Sequence, residues 1–291
     1  MNEPLWCGLS WTGYSIVVEI SLGINTDLAR EILVGFIKSE ITRVGLSRAV
    51  IGLSGGIDSA LSCVLAVEAL GAENVLAVRM PYRSSSKDSL DHAQLLIDHL
   101  GVQHVTIEIT EMVEPLFKID LKMSDMRKGN IMARARMIVL YDQSEVFKGL
   151  VVGTSNKSEI LLGYSTLFGD SACSVNPLGD VWKTHVFRLA EQLGLPAFLL
   201  HKPPSADLWA GQTDAGELGF DYAEADPVLY WHHEQGLDRA ALVAAGFAPA
   251  LVDRVLLAYR RSRFKWRPTV VARTSASCVN VDRILPRNPE R

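Results

Sequence analysis

Ala49-Val50-Ile51-Gly52-Leu53-Ser54-Gly55-Gly56-Ile57-Asp58-Ser59 is the stretch that decides the fold. Its first five residues are short, apolar and β-branched, the composition of a buried parallel strand. A Gly/Ser cluster follows, and Ser59 to Leu70 then runs apolar and Ala-rich to Gly71, as a helix closed by a C-cap glycine. Between strand and helix, two glycines remove side chains, so that backbone N–H groups can converge on an anion. The helix start adds free donors and a partial positive charge. Ser54 and Ser59 supply hydroxyls. Asp58 would repel a bare phosphate, but it fits a loop in which a carboxylate holds Mg²⁺ beside the phosphates. The stretch is neither G-x-x-x-x-G-K-[ST] nor G-x-G-x-x-G. The bland reading is a tight turn with a capping serine. The position favours a ligand loop, because open α/β sheets bind at the carboxyl ends of their strands.

Working outward, strand and helix alternate. Asn25-Thr26-Asp27 is expected to cap a helix through Ile32, Phe36 and Ile37. Strands are expected at 49–53, 74–80, 105–109 and 150–153, with helices at 89–100 and 130–147 between them. That order implies crossover units and a doubly wound parallel sheet flanked by helices, an α/β class fold. Helices are further expected at 186–193 and 238–261. Residues 163–182 and 202–221 lack periodicity and are long enough for functional loops. The domain expectation is an N-terminal extension over 1–24 with one strand at most, a single domain over 25–271 and a loosely ordered tail over 272–291.

Composition excludes several classes. The 291 residues are 48% hydrophobic and 21% charged, enough for a core. A net charge of −4 offers no field for nucleic acid. Cys7, Cys63, Cys173 and Cys278 form no C-x-x-C pair, so reduced thiols in the cytoplasm are expected. No run reaches the roughly 18 apolar residues of a membrane helix, and no basic n-region precedes Ile16 to Ile20, so no secretory signal is expected.

The hexamer at 54–59 is the signature of the pyrophosphate-loop ATPases, which cleave ATP between the α- and β-phosphates. Four further segments extend the likeness. They are Gly129-Asn130 with Ala133-Arg134-Ala135-Arg136-Met137; Gly153-Thr154-Ser155-Asn156-Lys157-Ser158-Glu159; Gly169-Asp170 through Asn176-Pro177-Leu178-Gly179 to Lys183; and Lys202-Pro203-Pro204-Ser205-Ala206-Asp207-Leu208-Trp209 with Gly211-Gln212-Thr213-Asp214. With these, about Asp27 to Pro268 resembles the ammonia-dependent NAD synthetase family. The resemblance implies a Rossmann-like, pyrophosphate-loop sheet and a ligase reaction. ATP and deamido-NAD bind with Mg²⁺, an acyl-adenylate forms, and ammonia converts it to NAD with release of AMP and pyrophosphate. It also implies a homodimer.

By that resemblance, Ser54, Gly55, Gly56, Ile57, Asp58, Ser59, Arg79, Thr154, Lys183 and Ser205 contact ATP. Asn130, Arg134, Leu167, Ser174, Phe264 and Lys265 stand at the deamido-NAD positions. Asp58 and Glu159 hold the metal, and Asp58, Lys183 and Asp170 carry the chemistry, Asp170 through a second metal contact or by guiding ammonia. Asn130 and Arg134 share a helix face, with Arg136 on another. The ordinary alternatives are a solvated helix for the arginines, a capping role for Thr154 and Glu159, and a sheet-edge cation for Arg79. The histidines at 92, 99, 104, 185, 201, 232 and 233 show no metal-ligand spacing and read as structural. Cys173 lacks a base that would make it a nucleophile.

The likeness weakens on the acceptor side. Leu167 stands where many relatives have lysine, Ser174 where many have aspartate, and Phe264 and Trp266 replace histidine and arginine. An adenylating amide ligase for another carboxylate is therefore the main alternative. A tRNA-modifying thiolase would show paired cysteines and a basic surface, and a dead nucleotide sensor would lack Asp58 or Glu159. Since 53 residues precede the hexamer, free ammonia or ammonia from an unidentified glutaminase partner is expected as donor.

Overall fold

The computed structural model describes residues 22–209, 211–266 and 269–276. The expected lead-in strand, Cys7, Cys278, Arg267-Pro268 and most of the expected tail lie outside these residues.

Helix α1 (Thr26–Arg43) is capped by Asn25, whose side chain accepts the Leu28 N–H at 3.1 Å. Strand β1 (Ala49–Gly52), helix α2 (Ile57–Leu70) and strand β2 (Val75–Arg79) form the first crossover unit. Helix α3 (Lys87–Leu100) and strand β3 (Gln103–Thr106) form the second. Helices α4 (Thr110–Phe117) and α5 (Asp125–Phe147) lead to strand β4 (Leu150–Val152). The sheet order is β3-β2-β1-β4 and every pairing is parallel. The chain thus winds outward from β1 on one side and returns to pair with it on the other, the doubly wound pattern expected.

Period-two alternation sorts the strand side chains onto two buried faces. Ala49, Ile51, Val75 and Ala77 pack with α1, α2, α3 and helix α7 (Lys183–Gln192). Val50, Leu76 and Val78 pack with α4 and α5. A further core joins helices α6 (Lys157–Leu162), α10 (Tyr222–Leu229), α11 (Arg239–Ala244) and α12 (Pro249–Trp266). Two short helices, α8 (Ala197–Leu200) and α9 (Asp214–Leu218), lie between.

Three expectations shift. The third strand begins at Gln103, not Val105, and Ile107 and Ile109 extend it only through single bonds to Arg79 O and Pro81 O. The long helix starts at Asp125, where Ser124 caps it, five residues ahead of Asn130. The expected helix over 238–261 is two helices, broken where Gly246 adopts φ +101°.

Candidate active site

Because β2 and β4 lie on opposite sides of β1, the loops leaving β1 and β4 diverge and open a crevice at the carboxyl end of the sheet. A cavity of about 440 Å³ occupies it.

Residues 54–59 form its floor. Gly55 adopts φ +75°, which favours glycine. A Cβ there would stand 2.1 Å from the Ser89 carbonyl oxygen, so only glycine lets the loop rest on α3. Ser54 and Gly56 line the cavity, while Gly55 between them faces α3. The Ser54 and Ser59 hydroxyls lie 3.0 Å apart, and Ser59 Oγ also accepts the Ser54 N–H at 3.2 Å. No side chain caps the first turn of α2, leaving its N–H groups directed at the crevice.

Beside the loop stands an acid cluster. Lys183 Nζ reaches Asp58 Oδ2 at 2.5 Å and Glu159 Oε1 at 3.2 Å, and its side chain is 2% exposed. Burial opposes its charge, but the two carboxylates outweigh burial and hold its pKa above the ordinary lysine range. For Glu159, burial pushes the carboxyl up to about 8; Asp58 and Asp214 add to the shift and Lys183 opposes it. Asp58–Lys183 is therefore the primary ion pair, in keeping with its shorter distance, and Glu159 is the surplus acid. Asn156 opens α6 with a capping box to Glu159 and donates its amide to Asp58 at 2.9 Å. A further cation suits this set: Asp58, Glu159 and the buried Asp214 share one lysine. Among the described residues no group of three or more His, Cys, Asp or Glu converges as a metal cage. Mg²⁺ needs none, since it takes one or two carboxylates with phosphate oxygens and water.

The remaining expected residues divide. Arg79, Thr154 and Ser205 line the cavity, and Arg79 Nε is buried without a hydrogen-bond partner. Ser205 Oγ donates to Gln212 O at 2.7 Å. Asn130, Asp170 and Lys265 also line it. Asn130 accepts the Thr166 hydroxyl, Asp170 accepts the Thr166 N–H, both at 2.7 Å, and Lys265 donates to the Gly163 and Ser165 carbonyls at 2.6 Å. Arg134 instead lies exposed and donates to the Leu167 carbonyl at 3.1 Å. Leu167 meets that guanidinium through its backbone, Ser174 pairs its N–H with Val151 O, and Phe264 is 65% exposed on α12. Arg136, on the other flank of α5, is the arginine of that helix in the cavity wall, donating to Met80 O at 3.0 Å; burial lowers its pKa.

Sequence reasoning did not single out Lys202, Asn156 or Asp214. All three fall within the motif segments, but the partners of Lys202 and Asn156 are distant in the chain. Lys202 Nζ donates to Gly55 O at 3.0 Å and Ser89 Oγ at 2.8 Å. Asp214 accepts from Tyr222 at 2.9 Å.

Comparisons with known proteins agree with this architecture. The family model described as NAD synthase matches residues 29–269. An NH3-dependent NAD(+) synthetase from Trichlorobacter lovleyi is 52% identical over 261 residues, 90% of this chain and 96% of that protein. Among solved structures, an NMN synthetase from Francisella tularensis superposes with TM-score 0.76 at 33% identity, covering 86% of this chain and 99% of its own. An NH3-dependent NAD synthetase from Campylobacter jejuni, in complex with nitrate ion, gives 0.73 at 31% identity, over 86% of this chain and all of its own. The chain belongs to the NAD synthase family.

Proposed function

We propose that the protein joins ammonia to the carboxyl group of deamido-NAD at the expense of ATP. The observation that carries this reading is that the anion loop at the end of β1 and the Asp58–Lys183–Glu159 cluster, which shares Asp58 with it, line one cavity. The nicotinate carboxylate attacks the α-phosphorus of ATP, the bond to the β-phosphate oxygen breaks, and pyrophosphate leaves. Ammonia then attacks the acyl carbon, AMP leaves, and NAD remains after loss of a proton.

No side chain need form a covalent bond in this scheme, so catalysis rests on positioning and charge. The N–H groups of residues 54–59 and the Ser54 and Ser59 hydroxyls receive the departing pyrophosphate. Lys183 brings a desolvated positive charge to it, and Asn156 fixes the orientation of Asp58. Arg79, with its unpartnered Nε, supplies a donor on the nucleotide side. Asp58 and Glu159 would hold Mg²⁺, which when bound supplies counter-charge to the phosphates. Asn130, Asp170 and Lys265 stand where the acceptor would enter, and Arg134 acts through the Leu167 backbone. Ammonia is the nitrogen donor.

A homodimer is part of this reading, supported by exposed apolar side chains at Ile119, Leu121 and Ile138. So is a cytoplasmic location; among the described residues no helix is long and apolar enough to cross a membrane.

The test is to mix the protein with Mg-ATP, ammonium and deamido-NAD and measure NAD, AMP and pyrophosphate. Equimolar formation of the three is expected. Formation of ADP instead, or faster amidation of another carboxylate, would overturn the assignment.

A further inference from the structure

Lys202 is a cation in an unusual setting. Its ammonium is half-buried in the cavity wall and touches two neutral acceptors, the Gly55 carbonyl at 3.0 Å and the Ser89 hydroxyl at 2.8 Å. Asp207 and Asp88 favour its charge only from a distance, and burial outweighs them, lowering its pKa. It thus joins the anion loop, the start of α3 and the segment that begins at Lys202. That segment is built to hold it in place. Pro203 and Pro204 follow immediately and stiffen the chain. Ser205 Oγ accepts the Asp207 N–H at 3.1 Å and donates to Gln212 O, and Gln212 Oε1 accepts the Leu208 N–H at 2.9 Å. Leu208 and Trp209 then rest on Gly129 of α5, where a Cβ would come within 2.9 Å of Leu208 Cδ1.

The electrostatic consequence falls on the Gly55–Gly56 peptide. A loop that binds a polyanion must present N–H groups and keep carbonyl oxygens away, since each carbonyl carries partial negative charge. Nothing in a Gly-Gly sequence enforces that orientation, because glycine flips its peptide planes at little cost. Packing against Ser89 restricts Gly55, and the Lys202 ammonium both fixes its carbonyl and neutralises it.

We propose that Lys202 is a positioning residue for the anion loop: it holds the Gly55 carbonyl turned away from the phosphates, so that the loop receives the departing pyrophosphate. The role rests on the reading of residues 54–59 as the pyrophosphate site, and it is separate from the part played by Lys183, whose partners are carboxylates.

Lys202→Met retains the length and apolar stem but removes charge and donors. Steady-state kinetics of the full chain with Mg-ATP, ammonium and deamido-NAD, with inorganic pyrophosphate as product inhibitor, distinguish the outcomes. The KM for ATP and the inhibition constant for pyrophosphate are expected to rise together by about tenfold or more, the loss of a charge-assisted hydrogen bond. The KM for deamido-NAD is expected to stay within about twofold. Lys202→Arg, which keeps the charge, is expected to recover part of both parameters. Unchanged ATP and pyrophosphate parameters, or an equal worsening of all three, would overturn the proposal and leave Lys202 as a general brace. Should Lys202→Met fail to fold, Ser89→Ala removes one of the two acceptors, and a smaller rise in the same two parameters is expected; a rise in the deamido-NAD KM instead counts against the proposal. Failure of the wild-type protein to form NAD is a different result, which bears on the proposed function.

Discussion

The side chain of Asn156 donates to Asp58 at 2.9 Å across 98 residues of sequence, while its own oxygen accepts the Glu159 N–H at 3.0 Å. Its backbone N–H returns to Glu159 Oε2 at 3.3 Å. One buried asparagine therefore sets the geometry of both acids, and it does so by bridging the loop after β1 to the loop after β4. The loops leaving β1 and β4 diverge there, and Asn156 ties them together beside the cavity.

Asn156→Ser isolates the bridge from the cap. Serine still caps α6, so the helix start keeps its acceptor, but the amide to Asp58 is gone. NAD formation is expected to fall about tenfold, with the loss of a hydrogen bond to a charged group, and circular dichroism is expected to stay native. Asp58→Asn removes the charge as well as the geometry, and a fall of about a hundredfold or more is expected. Wild-type turnover in Asp58→Asn would mean that the loop acid has no part in the chemistry.

The surplus acid gives a pH dependence with a definite sign. Glu159 holds its proton up to about pH 8 in the folded protein, against 4.5 for the unperturbed group. Between those values the folded state carries a proton that the unfolded chain has released, so raising the pH favours unfolding. The thermal midpoint of the metal-free protein is expected to drop from about pH 5 to about pH 8 through this group, and Glu159→Gln is expected to flatten that slope. Mg²⁺ competes with the same proton, so its binding is expected to tighten as pH rises. Calorimetry with and without Mg²⁺ measures both. Parallel slopes for wild type and Glu159→Gln would show that Glu159 titrates normally.

Two glycines with positive φ make a controlled pair. Gly55 at +75° has the Ser89 carbonyl oxygen 2.1 Å from a would-be Cβ, whereas Gly101 at +64° has nothing within 4 Å. Gly101→Ala is expected to cost about 1–2 kcal/mol, the left-handed penalty alone. Gly55→Ala adds a clash with backbone that cannot yield without moving α3, so roughly 2–4 kcal/mol is expected, together with loss of ATP binding. Denaturant unfolding ranks the two, and equal costs would show that the contact with Ser89 relaxes freely.

Much of this architecture was legible because it is written locally. The β-branched run at 49–53 and the Gly-Gly turn that follows are contiguous, and so are the glycines that end α2 and α3. The break at Gly246 has no signature in the spacing, because apolar positions continue across it while the helical backbone does not. Asn156 and Lys202 lie within the motif segments yet carry no local signal of their own, since their importance lies in partners 98 and 147 residues away. No periodicity encodes such a pairing; only the parallel sheet order brings those loops together. The motif pattern marks Lys183 as a phosphate contact, yet its burial between two acids depends on how α7 packs and has no signal in the chain.

Arg134 and Arg136 show the same limit on one helix. The face of α5 toward the cavity runs through Met126, Asn130, Ala133, Met137 and Leu140. At about 100° per residue, the two arginines fall on opposite flanks of that face, so spacing alone cannot choose between them. The structure gives them different contacts. Arg136 donates to Met80 O within the wall, whereas Arg134 holds the Leu167 carbonyl outside the cavity lining. Arg134→Ala is expected to raise the KM for deamido-NAD several-fold through the loosened 166–171 turn, leaving the KM for ATP near wild type and stability within about 0.5 kcal/mol, as for other exposed sites. Arg136→Met removes a buried donor from the Met80 carbonyl and is expected to cost about 1–3 kcal/mol in folding. Kinetics against each substrate, paired with denaturant unfolding, separate the two. A rise in the ATP KM for Arg134→Ala, with acceptor kinetics untouched, would show that the Leu167 turn serves the nucleotide and not the acceptor.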